Sequence, residues 1–394
     1  MDDGKSTLIG RLLHDSKAIL SDQYDDLQDS AGEMDLSRVT DGLRAEREQG
    51  ITIDVAYRYF ATPKRRFILA DTPGHVQYTR NMVTGASNAD LAVVLIDARN
   101  GVSEQTRRHA FISSLLGIPH IAVAVNKMDL VDYSEERFDE IVRDFADFRK
   151  QLSSKDIRFF PISAKDGDNV VDRSKKMDWY DGPLLLDYLE NVDVAHDRNL
   201  KELRFPVQLV IRDGETDYRG LAGTISSGIV KPGDKVTVLP SGLETTIKTV
   251  DTLDGPLDEA GPGESVTLVL EDDIDVSRGD LVCHVDDKPE LGREFSADIC
   301  WFADEPLRAG AKYAIKHATF TSQAIIDELV DSVDIHNLQR SASPDELTLN
   351  GIGRVKLRTA KPLAFDAYSR NRGSGAFILI DEVTNDTVAG GMIA

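Results

Sequence analysis

Four short motifs follow one another along this 394-residue chain: Asp3-Gly4-Lys5-Ser6-Thr7, Asp71-Thr72-Pro73-Gly74-His75, Asn126-Lys127-Met128-Asp129 and Ser163-Ala164-Lys165. Their placement restricts the fold. Each nucleotide motif falls at the C-terminal end of an apolar run or in the loop after it, where open α/β sheets bind ligands. The first motif reads as a phosphate cradle. Backbone N–H groups at a helix start point at phosphate oxygens, Lys5 adds a point charge, and Ser6 can ligate Mg²⁺. In the second, Asp71 follows Phe67-Ile68-Leu69-Ala70, the place for an aspartate that holds Mg²⁺ through water. In the third, the Asp129 carboxylate can accept two hydrogen bonds from the N1 and N2 donors of guanine, a pair that adenine lacks. In the fourth, backbone N–H can close over the guanine carbonyl. Gly-Lys-Ser alone is a weak signal. The four together imply binding and hydrolysis of GTP, with Mg²⁺ and GDP as companions.

The first motif is incomplete. A full P-loop needs Gly, four residues, then Gly-Lys-Ser/Thr. Counting back from Gly4, that first Gly would lie two residues before Met1, and the strand that feeds such a loop is missing too. The expectation is a truncated N-terminus, or a start assigned too late, with half the phosphate-binding backbone absent.

Residues 1–191 alternate apolar strands with amphipathic helices, which predicts a doubly wound α/β domain with a mainly parallel sheet. Strands are expected at 53–60, 67–70, 91–96, 121–125 and 158–162. Helices are expected at 5–15, 79–87, 104–116, 135–151 and 184–189. Residues 192–203 form a charged linker. Beyond it, short strands are separated by turns such as Lys231-Pro232-Gly233-Asp234 and Gly261-Pro262-Gly263-Glu264. Two all-β barrels in series fit this texture, one over 204–289 and one over 290–394. The first is expected to use strands at 206–211, 220–226, 235–239, 244–250 and 264–270. The second is expected to use 294–301, 311–319, 323–332, 351–359 and 375–381.

Composition narrows the function. The net charge is −22, and the basic clusters Lys64-Arg65-Arg66, Arg107-Arg108 and Lys175-Lys176 are short, so nucleic acid is not the expected partner. No apolar run reaches the length of a membrane span. The two cysteines, Cys283 and Cys300, imply no disulfide framework and fit a reducing cytoplasm.

A GTPase domain followed by two β-barrels resembles the translational GTPases, such as elongation factor Tu. The wording of residues 2–13, Asp2-Asp3-Gly4-Lys5-Ser6-Thr7-Leu8-Ile9-Gly10-Arg11-Leu12-Leu13, is closer to one branch. So are Asp41-Gly42-Leu43-Arg44-Ala45-Glu46-Arg47-Glu48-Gln49-Gly50-Ile51-Thr52-Ile53-Asp54-Val55-Ala56 and Val76-Gln77-Tyr78-Thr79-Arg80-Asn81-Met82. These resemble the GTPase (large) subunit of bacterial sulfate adenylyltransferase. The resemblance implies that Thr52 closes on Mg²⁺ and the γ-phosphate, that Gly74 donates its N–H to the γ-phosphate, and that His75 positions the attacking water. The loops at 20–52 and 71–82 are expected to order with GTP and relax with GDP. Asp2 either helps hold the phosphate loop or solvates a chain end. The nucleotide set is thus Asp2, Asp3, Gly4, Lys5, Ser6, Thr7, Asp71, Asn126, Lys127, Asp129, Ser163, Ala164 and Lys165. Ser6, Thr52 and Asp71 serve the metal. The other seven histidines read as structural or surface residues.

The resemblance also implies a partner, the small catalytic subunit. It would perform adenylyl transfer from ATP to sulfate in a cytoplasmic heterodimer while this chain hydrolyses GTP. The sequence shows no His-x-Gly-His and no Ser-Gly-Gly-x-Asp-Ser loop of sulfurylase chemistry, and no second P-loop for a fused adenylylsulfate kinase. Two other readings stand beside this one: a translation factor, and a scaffold that no longer binds nucleotide.

Overall fold

The computed structural model describes residues 3–18, 36, 52–154, 156–194, 199–214, 218–334 and 339–394. Asp2 and residues 41–51 lie outside the described residues. The chain forms two compact units that part between Asp193 and Val194.

In the first unit, β3 (Leu91–Asp97), β4 (His120–Asn126) and β5 (Asp156–Pro161) form a parallel sheet in the order β3-β4-β5. Continuous apolar runs make these strands, because parallel strands are covered on both faces. Every residue of β4 beyond His120 is buried. The helices α3 (Glu104–Leu115) and α4 (Glu135–Arg149) begin at serines whose hydroxyls accept first-turn amides. Ser103 takes Thr106 N at 3.1 Å, and Ser134 takes Arg137 N at 3.2 Å. Ala110 of α3 and Phe138, Ile141, Phe145 and Phe148 of α4 join the core built on Val94, Ile96, Val123 and Val125. α5 (Leu185–Asn191) packs through Tyr188 on Phe160 of β5, with ring centroids 5.2 Å apart.

One sequence expectation changes here. The run at 67–70 does not join the parallel sheet among the described residues. It lies in β2 (Arg66–Asp71), which pairs antiparallel with β1 (Ala56–Ala61) as a separate two-stranded sheet. The short connection accounts for the antiparallel pairing of β2 with β1. The intervening residues form a tight turn, with Thr62 N donating to Arg65 O at 2.9 Å, and so short a link joins only antiparallel strands. Helix α1 (Lys5–Asp15) covers this pair with Ile9 and Leu13 against Phe60. α2 (Thr79–Ala86) follows the second motif.

The second unit holds two barrels. In the first, β6 (Phe205–Pro206) and β7 (Leu209–Arg212) are two halves of one broken strand. β6 pairs with β13 (Leu281–His284) and β7 with β8 (Arg219–Thr224), so the order β6-β13-β9-β10-β12-β8-β7 closes on itself. Here β9 is Lys235–Leu239, β10 is Leu243–Thr252 and β12 is Ser265–Leu270, with β11 (Gly255–Leu257) beside β10. In the second barrel, β14 (Glu290–Trp301), β15 (Lys312–His317), β16 (Phe320–Val333), β18 (Ile352–Phe365), β19 (Ala376–Ile380) and β20 (Thr387–Ile393) close through the β15–β16 pairing. β17 (Arg340–Ala342) lies on the edge of β16. Each barrel encloses its own apolar core, around Phe205, Val238 and Leu268 in one and Trp301, Ile326 and Leu357 in the other.

A buried ion pair joins the barrels within this unit. Arg204 has no exposed side-chain surface, and it donates to both carboxylate oxygens of Asp366, from Nε at 2.7 Å and Nη2 at 2.9 Å. Burial would raise the Asp366 pKa, but hydrogen bonds from Arg204 and Ser374 outweigh it and hold the carboxyl below its usual range. Asp366→Ala strands a buried guanidinium and is expected to cost about 3–5 kcal/mol, read as a lowered urea midpoint of the full chain. Because the folded pKa is depressed, the pair's contribution is full above the unfolded carboxylate pKa. It is lost as pH falls through the folded value.

Candidate nucleotide site

Gly4 opens α1 at φ 88, the left-handed region that glycine tolerates. A Cβ there would come within 2.3 Å of Asn126 Nδ2, so both the turn and the close approach require glycine. No side chain caps α1, which leaves its first-turn amides facing the loop. Ser6 and Thr7 lie in that first turn.

Asn126, buried at the end of β4, ties three motifs together. Its Nδ2 donates to the Asp3 carbonyl at 2.9 Å, and its Oδ1 accepts from Ala164 N at 2.9 Å. Ser163 Oγ donates to Asp129 Oδ1 at 2.8 Å. That leaves lone pairs on the Asp129 carboxylate for a second set of donors. Lys127 adopts φ 65, and its Nζ lies 3.1 Å from Asp97 Oδ2 at the end of β3. Burial works against ionising Asp97, yet hydrogen bonds from Arg99 and Lys127 bring its pKa down to about 2. Lys165 is exposed at the loop tip.

The second motif meets the first at Lys5. Its ammonium lies 2.7 Å from Asp71 Oδ1 and donates to the Thr72 carbonyl at 2.8 Å and to the Thr52 hydroxyl. Asp71 is 4% exposed, and its Oδ1 has no hydrogen bond of good geometry. The ion-pair contact is close but off the hydrogen-bond direction, so a buried anionic oxygen keeps acceptor capacity. An aspartate and a threonine hydroxyl gathered around one cationic centre are the hard oxygen donors that Mg²⁺ takes. These residues fit that metal.

Gly74 carries two donors on its carbonyl, His109 Nε2 at 3.0 Å and Gln105 Nε2, both from α3. A Cβ at Gly74 would lie 2.8 Å from Gln105 Nε2. Burial first, then the positive fields of Arg108, Lys5 and His75, push the His109 pKa down to about 4, against the pull of the Gly74 carbonyl. The ring is therefore neutral at pH 7, and facing a carbonyl its Nε2 carries the proton. His75 follows Gly74 at the start of the turn Val76–Tyr78, and its carbonyl accepts from Tyr78 N at 3.0 Å.

The structure brings Asp3, Gly4, Lys5, Thr52, Asp71, Asn126, Asp129, Ser163 and Ala164 into one connected network. Asp2 lies outside the described residues, as does most of the 20–52 loop. Sequence reading missed Asp97, Gln105, His109 and Arg11, whose guanidinium holds the carbonyls of Ala164 and Lys165. His109 is one of the remaining histidines read as structural or surface residues, and it is largely desolvated, with its ring on the Gly74 carbonyl of the second motif. Asp97 had a usable signal, a carboxylate at the C-terminal end of a parallel strand. The other three sit on helices, and nothing in their spacing points at a motif.

Comparison with known proteins places the chain in a family. Residues 1–211 match the elongation factor Tu GTP binding domain, and residues 294–394 match the GTP-eEF1A C-terminal domain-like family. Over its whole length the chain is 53% identical to the bifunctional enzyme CysN/CysC of Mycobacterium tuberculosis, of which it spans 66%, just under two thirds. It is also 53% identical to sulfate adenylyltransferase subunit 1 of Bacteroides fragilis and of Yersinia enterocolitica, spanning 84% of each. The structure of sup35 complexed with GDP is 25% identical, with a TM-score of 0.48 over 100% of this chain and 91% of that one. Among the described residues no helix is long and apolar enough to cross a membrane. With a P-loop GTPase domain, two barrels and relatives of this identity along its full length, the chain belongs to the sulfate adenylyltransferase subunit 1 family, within the elongation factor Tu-type GTPases.

Proposed function

We propose that this chain is the GTP-hydrolysing subunit of a sulfate adenylyltransferase. It couples GTP hydrolysis to formation of adenylylsulfate and diphosphate from ATP and sulfate on a separate small catalytic subunit. The observation that carries the reading is Asn126, whose one side chain joins the first, third and fourth motifs, in a chain 53% identical to subunit 1 proteins.

In this reading the α1 amides and Lys5 bind the β- and γ-phosphates, Asp129 and the 163–165 loop select guanine, and Lys127 flanks the base. Ser6, Thr52 and Asp71 would hold Mg²⁺, which when bound would neutralise charge developing on the phosphates. Gly74 N–H meets the γ-phosphate, and His75 orients water for in-line attack, giving GDP and phosphate. Lys5 must exchange Asp71 and Thr52 for phosphate oxygens as the nucleotide enters. Two buried free thiols, Cys283 and Cys300, support a reducing cytoplasm as the location.

The test is to combine the chain with the small subunit and follow GDP and adenylylsulfate together. GTP hydrolysis is expected to be slow alone, faster with the partner and faster again with ATP and sulfate, because linked sites influence one another. An adenylylsulfate yield indifferent to GTP would remove the coupling. Stimulation by aminoacyl-tRNA instead of the small subunit would make the chain a translation factor.

A further inference from the structure

Arg11 stands on α1, two turns beyond the phosphate loop and outside all four motifs. Its guanidinium is spent on the 163–165 loop. Nε donates to the Ala164 carbonyl at 3.1 Å, Nη2 donates to the Lys165 carbonyl, and Nη1 lies 3.6 Å from Asp15 on the same helix. The planar fork lets one side chain hold two carbonyls in fixed relative directions, which an ammonium cannot do.

The amides of that loop are almost all committed. Ala164 N donates to Asn126 Oδ1 at 2.9 Å, Asp166 N to Ser163 Oγ at 3.2 Å and Gly167 N to Ser163 O at 2.8 Å. Among the described residues that leaves Lys165 N–H as the one amide of residues 164–167 without an acceptor. The Ala164 carbonyl and the Lys165 N–H belong to the same planar trans peptide and point in opposite directions. A donor gripping the carbonyl therefore sets where the N–H points.

We infer that Arg11 is a positioning residue for base recognition: by holding the Ala164 and Lys165 carbonyls it aims the Lys165 N–H at the 6-oxo group of guanine. The inference rests on the guanine reading above and deepens it. Arg11 touches no nucleotide atom and acts through the loop. The expected loss is that of one buried hydrogen bond left unmade, about tenfold in affinity.

The experiment titrates the full chain and its Arg11→Ala and Arg11→Lys variants with GTP and with 2-aminopurine riboside 5′-triphosphate. The analogue keeps the 2-amino group but lacks the 6-oxo group and, with it, the N1 proton, so it binds the parent more weakly through Asp129 as well, and each variant is compared with the parent on the same ligand. Both variants are expected to weaken GTP about tenfold and to leave the analogue within twofold of the parent, since it has no acceptor for the aimed N–H. Equal losses for GTP and the analogue would reduce Arg11 to a prop for the fold and overturn the inference. Unchanged GTP affinity in both variants would overturn it as well. Arg11→Lys keeps the charge and most of the stem, so it covers the case in which the alanine variant fails to fold. Asp129→Asn titrated in parallel separates the two levels. If it leaves the preference for GTP intact, the guanine reading itself has failed. If it shifts the preference while both Arg11 variants behave as the parent does, only the role of Arg11 has failed.

Discussion

Asp129→Asn is expected to exchange GTP for xanthosine triphosphate as the preferred ligand. The carboxylate accepts one hydrogen bond from Ser163 Oγ at 2.8 Å and still has lone pairs for the N1 and N2 donors of guanine. An amide in its place turns one acceptor into an NH₂ donor, which would face the guanine 2-amino group. Xanthine carries an oxo group there and restores the complement. Sites that leave buried polar groups unpaired reject the wrong ligand by about 10⁴–10⁵-fold. A swing of about 10³-fold or more between the two nucleotides is therefore expected, read by competitive titration against a fluorescent guanine nucleotide. If the variant binds GTP as the parent does, Asp129 does not read the base.

His75→Ala is expected to keep GTP affinity within about twofold while single-turnover hydrolysis falls about 10²–10³-fold. The reason is position. His75 follows Gly74, whose carbonyl is gripped by Gln105 and His109, and the Gly74 carbonyl belongs to the same peptide as the His75 N–H. The backbone that launches the His75 side chain is thus fixed beside Lys5 and away from the base-reading residues. A residue that orients water contributes to the rate and little to ground-state binding. An unchanged single-turnover rate in the variant would refute this role. A parallel loss of affinity would move His75 into the binding set.

The elements of the GTPase domain were legible because their periodicities are strong. The 5–15 helix has the bounds read from the sequence, and the 79–87, 104–116 and 135–151 helices end within two residues of expectation. Strands 121–125 and 158–162 match within two residues at either end. The barrels were read with five strands each, and one strand of each closure escaped. Leu281–His284 has only four residues, too short a run to register as a strand between its flanking turns. Thr387–Ile393 contains Gly390 and Gly391, which read as a breaker. The structure uses Gly391 for close approach, because a Cβ there would lie 2.2 Å from Phe377 Cζ. The expected strand at 206–211 is broken at Val207 and Gln208, since its two halves pair with different neighbours.

By itself the sequence determined the class of the fold and where the nucleotide motifs fall within it. Phosphate cradles, strand-end aspartates and a guanine-reading carboxylate depend on residue type and on spacing over a few positions, and both are written in the chain. Only the tertiary structure decided which side chains serve those motifs from a distance. Arg11 reaches across 153 positions to Ala164, His109 across 35 to Gly74 and Lys127 back to Asp97. Arg204 finds Asp366 162 positions away. Such pairings carry no periodic signal. They exist because packing brings the ends of separate strands and helices together, and a buried carbonyl, carboxylate or guanidinium must find a partner among whatever lies there.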